Sequence, residues 1–255
     1  MFSNIIEIII LSLIQGISEF IPISSSAHLI LTSNFYEFKN QSLIIDISLH
    51  LGSLLAILFY FKKDIFNFKK NKNLFYKIII SSLPLIIVGY FLYITNLIDY
   101  LRNIKVIAWA TLFFGILLYL ADKSKFSKKI ETDFNIKSVF IFGFFQVLAL
   151  IPGVSRSGIT ITAGRILGFN RTDSTKISFY LSIPALLGAS ALGIKDLFNE
   201  NIDFNLLVLI SVFLSFLFSL ITIKIFFSFI KNFSLNIFVI YRMLLAIILF
   251  YIIYF

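Results

Sequence analysis

The chain has no cysteine, one tryptophan and two histidines, and only 14% of its 255 residues are charged. Without cysteine there are no disulfides, no thiolate metal sites and no thiol nucleophile; the compartment stays open. Soluble domains carry about 25% charged residues. A chain that is 59% hydrophobic, with mean hydropathy +0.96, could not hide its apolar surface in water. Only four prolines are present, so each is informative. What remains is a series of long apolar runs, the pattern of a polytopic helical membrane protein. The first run carries Glu7 near its start and no basic segment before it, unlike a cleaved signal peptide. The net charge of +9 fits lysine-rich cytoplasmic loops better than a nucleic-acid surface, and no nucleic-acid partner is expected. Phenylalanine, isoleucine, lysine and asparagine are enriched along the whole chain, so aromatic residues alone mark no site.

Apolar segments fall near 5–21, 23–35, 43–61, 74–98, 104–121, 136–151, 159–169, 177–194, 204–230 and 235–255. A full span needs about 20 residues. Two pairs are shorter and interrupted, 5–35 at Pro22 and 136–169 at Pro152-Gly153. Each reads as a helix–turn–helix that enters and leaves the membrane on one side. Short matches recur at nearly constant offset: Asn4-Ile5 with Asn135-Ile136, Gln15 with Gln146, Pro22 with Pro152, Lys63-Asp64 with Lys195-Asp196, Asn103-Ile104 with Asn236-Ile237. The expectation is an all-α fold, a single membrane domain over 1–255 with about six full transmembrane helices and two re-entrant pairs. Repeat 1 covers 4–121 and repeat 2 covers 135–255. Each half holds three full spans, an odd number, so the second half is expected to be inserted upside down. This topology puts sixteen lysines and arginines on one side and only Lys39, Arg102, Lys105 and Lys195 on the other. The first side is therefore expected to be cytoplasmic. The first break would then open outward and the second inward. Arg156 and Arg242 are left within apolar surroundings.

Ionisable groups inside a membrane are expensive and mark functional sites by default. The first break reads Gln15-Gly16-Ile17-Ser18-Glu19-Phe20-Ile21-Pro22-Ile23-Ser24-Ser25-Ser26-Ala27-His28. Gln15 and Glu19 are four apart and share a helix face. Pro22 stops or bends that helix. The serines offer hydroxyls and caps to a second helix, and His28 lies about one turn after Ser25. A carboxylate, a hydroxyl and an imidazole thus converge, enough for a nucleophile, a base and an orienting or metal-binding group. The second break reads Pro152-Gly153-Val154-Ser155-Arg156-Ser157-Gly158. Gly153 lets the backbone curl so that N–H groups face an anion, and a helix N-terminus follows. Ser155 and Ser157 add donors, and Arg156 adds a planar fork suited to phosphate. The segment lacks the lysine of a nucleotide P-loop. Each feature also has a plainer reading. Serines cap helices, a lone histidine is commonly structural, Gln15 with Glu19 makes a packing pair, and Arg156 can pair structurally. Asp46 with His50 reads as a local hydrogen-bonded pair, Tyr241-Arg242 as buried or interfacial, and Ser182 with Pro184 as a kink. Two matched breaks of opposite chemistry are harder to assign to packing.

Through Gln15-x-x-x-Glu19, Ser24-Ser25-Ser26-Ala27-His28 and Pro152 to Gly158, the chain resembles the bacterial undecaprenyl-diphosphatases, also called bacitracin-resistance phosphatases. Asp46 to Gly52 and Leu181-Ser182-Ile183-Pro184 extend the likeness, which runs from Gln15 to Tyr241-Arg242. Two positions depart from the family pattern: Gln15 stands where glutamate is frequent, and Ala27 where glycine is frequent. The resemblance implies hydrolysis of undecaprenyl diphosphate to the monophosphate at the outer face of the bacterial plasma (inner) membrane, returning the carrier to cell-wall synthesis. It also implies dependence on a divalent cation, Mg²⁺ or Ca²⁺, with Glu19 as the candidate ligand; Gln15 makes such a site less anionic. Membrane lipid is the surrounding partner, and the sequence leaves a homodimer open.

The expected catalytic residues are Glu19, Ser25, His28 and Arg156. Gln15, Ser24, Ser26, Gly153, Ser155 and Ser157 are expected to bind substrate. Ser25 is the first choice of nucleophile, ahead of Ser24 and Ser26, with His28 activating it or protonating the leaving group. Direct attack by a water held by Glu19 and His28 is the rival. The alternative function is a transporter or flippase of polyprenyl phosphate, because inverted repeats with broken helices are also transporter features.

Overall fold

The computed structural model describes residues 2–36, 42–197 and 206–255. Lys39 lies outside them, as do the side chains of Asn4, Lys195 and Asp196. The helices are α1 (Phe2–Ser18), α2 (Ser25–Tyr36), α3 (Leu43–Tyr60), α4 (Lys62–Phe66), α5 (Phe68–Ile94), α6 (Leu97–Leu101), α7 (Ile104–Asp122), α8 (Ile130–Asp133), α9 (Ile136–Val147), α10 (Arg156–Ile166), α11 (Arg171–Leu197), α12 (Leu206–Asn232) and α13 (Asn236–Tyr254). Among the described residues there is no strand, only a bridge between Lys128 and Phe169. The all-α membrane fold expected from the runs is the one observed.

Five stretches are long and apolar enough to cross a membrane: Asn71–Ile94, Ile104–Asp122, Arg171–Gly193, Leu206–Asn232 and Asn236–Tyr254. The sixth candidate, α3, has 18 residues and reaches about 27 Å at 1.5 Å per residue. Helix starts differ where capping or chain geometry overrides hydropathy. α5 begins at Phe68 and α11 at Arg171, before their apolar runs. α10 begins at Arg156, because Ser155 caps it. Two of the repeated Asn-Ile pairs act as caps: Asn103 accepts from Val106 N–H at 2.9 Å and Asn135 from Ser138 N–H at 3.0 Å.

α3 sits at the centre, against α12 and α11; α1 lies on α12, α9 on α5, and α13 on α7. Pairing α1 with α9, α3 with α11, α5 with α12 and α7 with α13 maps α3–α12 onto α11–α5 and α1–α12 onto α9–α5, whereas the contacts of α10 with α11 and α7 have no comparable counterpart at α2 among the described residues. Small residues allow the close approaches. A Cβ at Gly16 would come within 2.9 Å of the Ser219 backbone nitrogen on α12. Ser53 on α3 meets Ser215 at 3.2 Å and Ser219 at 3.0 Å, and Ser215 donates to the Leu49 carbonyl at 2.6 Å. In hydrocarbon such interhelical hydrogen bonds contribute about 0.6 kcal/mol each. The helix that follows the second break is buried from Ser157 to Arg165. Non-helical backbone at membrane depth requires this shelter.

At one end of the bundle Asp122, ending α7, binds Arg171 at 2.7 Å and Arg165 at 3.4 Å, and accepts from Leu235 N–H at 3.2 Å. One carboxylate thereby ties α7, α10, α11 and the start of α13. Asp122 and Arg165 are both buried. Removing one charge leaves the other uncompensated, at a cost of about 3–5 kcal/mol. Asp122→Asn is expected to lower stability on that scale, read as a lower melting temperature in detergent.

Candidate active site

α1 ends because Pro22 has no N–H to continue it. Glu19 N–H still bonds the Gln15 carbonyl at 3.0 Å, and the chain then turns through residues 19–23. Ser24 takes φ +80, and α2 begins at Ser25. The second break follows a single 3-10 turn, Leu148–Leu150. Gly153 has φ +95, and a Cβ there would lie 2.7 Å from the Ile107 carbonyl, so only glycine fits. Ser155 has φ +70, its hydroxyl accepts from Gly158 N–H at 3.1 Å, and α10 begins at Arg156. Each break thus ends in a serine in the left-handed region. Such a conformation costs about 1–3 kcal/mol in a residue with a side chain and persists only where the surroundings enforce it. Ser25 and Arg156 occupy the same place, the first residue of the second helix in each break.

The surroundings that enforce it are contacts between the two tips. Gly153 N–H donates to the Ser24 hydroxyl at 3.2 Å, and the Ser157 hydroxyl donates to the Ile21 carbonyl at 2.8 Å. Arg156 spans the junction. One Nη bonds the Glu19 carboxylate at 2.8 Å and the Glu19 carbonyl at 3.4 Å; the other bonds the Ser178 carbonyl at 3.1 Å. Two of its five N–H donors carry no bond among the described residues. The second Glu19 oxygen accepts from the Ser25 hydroxyl at 2.7 Å and from Gln15 Nε2 at 3.2 Å. A carboxylate, a hydroxyl and a guanidinium from two distant segments therefore share one hydrogen-bonded unit.

The other sequence-selected residues are distributed around this unit. Ser26 is exposed, 3.3 Å from the Ser24 hydroxyl. Ser155 lies 3.2 Å from Ser157, so both hydroxyls serve the tip. Neither His28 nitrogen is bonded to Ser25. Nδ1 meets the Ser24 carbonyl at 2.6 Å and Nε2 meets the Tyr241 hydroxyl at 2.5 Å. A carbonyl only accepts, so Nδ1 carries a proton and donates to Ser24. The imidazole thereby anchors the strained Ser24. His50 bonds the Asp46 main-chain carbonyl at 2.7 Å.

Sequence reasoning left Arg242 without a role in the site. It is fully buried and, among the described residues, donates only to main-chain carbonyls: Gly153 and Val154 at 2.9 Å, Thr111 at 3.3 Å, Pro22 and Ala110 at 3.4 Å. One side chain holds both tips against α7. Its only signal in the sequence is a lone arginine in an apolar helix; carbonyl partners leave no pattern. Tyr241, its neighbour, carried no stronger signal.

Gln15 Oε1 is buried without a hydrogen-bond partner among the described residues. With Glu19 beside it, this is an oxygen pair of the kind hard cations prefer. No group of three or more histidine, aspartate and glutamate residues suited to a metal occurs among the described residues. An ion here would need further oxygens from a bound phosphate.

Residues 8–248 match the family described as bacitracin resistance protein BacA. The chain belongs to this family. It is 59% identical to a Pelagibacter ubique protein named undecaprenyl-diphosphatase, over all of both chains. It is 41% identical to one of that name from Campylobacter curvus, over 98% of this chain and 99% of the relative. A third, from Saccharophagus degradans, is 39% identical over 99% of each.

Arg242→Lys keeps the charge but has three donors on a flexible stem where five carbonyls are engaged. It is expected to lower both melting temperature and turnover, the latter by about tenfold or more, because lost tip contacts misplace Ser25 and Arg156. Detergent melting curves and steady-state kinetics on the purified variant check this.

Proposed function

We propose that this protein hydrolyses undecaprenyl diphosphate to undecaprenyl phosphate and inorganic phosphate. Its relatives are named for that activity. The observation that carries the reading is the Glu19 carboxylate, bonded at once to Ser25 at 2.7 Å and Arg156 at 2.8 Å. A potential nucleophile, its base and a phosphate clamp are already assembled.

The steps follow from these contacts. The free N–H donors of Arg156 bind the terminal phosphoryl oxygens. The first N–H groups of α10, which have no helical acceptor, add to this grip. Ser25 Oγ attacks the terminal phosphorus and its proton passes to Glu19. The phosphoanhydride bond breaks, and the prenyl monophosphate leaves with the electron pair. With its proton passed on to the departing monophosphate, Glu19 then deprotonates the water that attacks the phosphoserine; phosphate leaves and Ser25 Oγ takes that proton back. Phosphoryl transfer depends mainly on positioning and charge stabilisation, which suits a site so firmly tied. The bound phosphate also competes with Glu19 for Arg156, which strengthens Glu19 as a base when substrate arrives. His28 acts by fixing Ser24, next to the nucleophile. Mg²⁺ or Ca²⁺ would be held by Gln15 Oε1 and Glu19 with the diphosphate oxygens, and would neutralise phosphate charge.

The reaction is placed at the outer face of the plasma membrane, where it recycles the cell-wall lipid carrier and confers bacitracin resistance. The charge asymmetry of the loops supports that orientation. An inverted repeat is part of the same reading. Its support is the partial correspondence of helix contacts, α1–α12 with α9–α5 and α3–α12 with α11–α5, and the matching positive φ of Ser24 and Ser155.

Phosphate release from undecaprenyl diphosphate in detergent is the direct test, since transport has no meaning there. Ser25→Ala and Glu19→Gln are each expected to lose at least about 100-fold in kcat. Arg156→Lys is expected to lose a similar factor despite keeping its charge. Rapid quenching should trap phosphoserine at Ser25; its absence, with Ser25→Ala still active, would shift the attack to water. Chelation by EDTA should abolish release and added Mg²⁺ or Ca²⁺ should restore it, and full activity in EDTA would remove the ion from the reaction.

A further inference from the structure

A polar pocket of about 330 Å³ lies between α4, α5, α8 and α11 and shares no lining residue with either break. Asp64, Lys77, Glu131 and Lys176 give its walls two charges of each sign, beside Asn71 and Asn73. Its volume is at the small end of the range for ligand sites, about 300–1,000 Å³. The apolar spans of α5 and α11 begin at Asn71 and Arg171, and Lys77 and Lys176 follow within two turns. The pocket therefore lies where these helices enter the membrane, at the end of the bundle that carries the lysine-rich loops.

The charges are only partly spent on one another. The buried Tyr180 donates to one Asp64 oxygen at 2.5 Å, with its ring against Phe61 at 4.6 Å. Lys176 approaches that same oxygen only to 3.9 Å, and the other Asp64 oxygen accepts no hydrogen bond among the described residues. Lys77 donates to the Phe134 main-chain carbonyl rather than to a carboxylate. Among the described residues neither Lys77 nor Glu131 forms an ion pair. A simple anion in this pocket would meet the like charges of Asp64 and Glu131, and a metal ion those of Lys77 and Lys176. Only a ligand that carries both signs answers all four groups.

We infer that this pocket binds a small dipolar headgroup, a phosphate joined to a primary ammonium, as in a phosphatidylethanolamine of the adjoining leaflet. Lys77 and Lys176 take the phosphate, and Asp64 and Glu131 take the ammonium through charge-assisted hydrogen bonds. A quaternary ammonium has no N–H to give these carboxylates, and a glycerol headgroup has no cation for them. The depth of the pocket favours a lipid over a free solute, and Tyr76 and Ile79, close to Lys77 on α5, are exposed and offer apolar surface to the chains. The site does not depend on the phosphatase reading.

Native mass spectrometry of the detergent-purified protein tests this, with phosphatidylethanolamine, phosphatidylcholine and phosphatidylglycerol of the same chains added in equal amounts. Phosphatidylethanolamine is expected to be retained at least about tenfold over either of the others, which corresponds to about 1.4 kcal/mol. Glu131→Gln and Lys176→Gln each remove one charge from an accessible side chain and are expected to abolish that preference, with the melting temperature of the lipid-free protein unchanged. Equal retention of the three lipids, a preference for phosphatidylglycerol, or an unchanged preference in both variants would overturn the assignment. Free phosphoethanolamine at the concentration of the lipid should not displace it; displacement would overturn the membrane source and give the pocket to a soluble dipolar ligand.

Discussion

The structure depends on satisfying main-chain polar groups where two helices break inside the membrane. Hydrocarbon supplies no hydrogen bonds, so each exposed carbonyl would cost several kcal/mol. Arg242 answers for five carbonyls at once, from both breaks and from α7. Burying a guanidinium is itself expensive, and hydrogen bonds to every face make it tolerable. Ser24, Ser157 and Gly153 add bonds that run between the tips. The left-handed conformations of Ser24 and Ser155 are held by this lattice.

The same lattice sets the chemistry. Because both tips are locked, the first residues of α2 and α10 are presented to one another, one a serine and the other an arginine. Glu19 lies between them, and its two oxygens divide between the hydroxyl and the cation. Under the proposed mechanism, Arg156 restrains Glu19 as base until a phosphate draws on the same guanidinium. Binding and activation are thereby coupled without any large motion. Two apolar hollows along α1, α12 and α13 lie beside the same point. A charged head and a hydrocarbon tail can meet only where a polar site is sealed inside helices yet open sideways to lipid.

Local sequence made much of this legible. The apolar runs gave the long helices, because burying apolar side chains in lipid needs only length and composition. Pro22 and the Pro152-Gly153 pair gave the breaks, because proline removes a donor and glycine frees φ wherever they occur. His28 shows where such reading stops. Its spacing from Ser25 suggested an activating base, yet both nitrogens are engaged elsewhere, one by a carbonyl four residues back and one by Tyr241 on the last helix. Ser155 and Ser157 suggested phosphate donors; their hydroxyls are used within and between the tips.

Composition and spacing alone establish the membrane class, most of the helix segments and the two breaks, since each follows from local chemistry. Tertiary structure decided which serine meets Glu19, that Arg156 crosses to the other break, and that Arg242 joins both. The contacts of Arg156 with Glu19 and of Arg242 with the tips link residues 88 to 220 positions apart. Several end on main-chain carbonyls, which every residue has and no sequence pattern can single out.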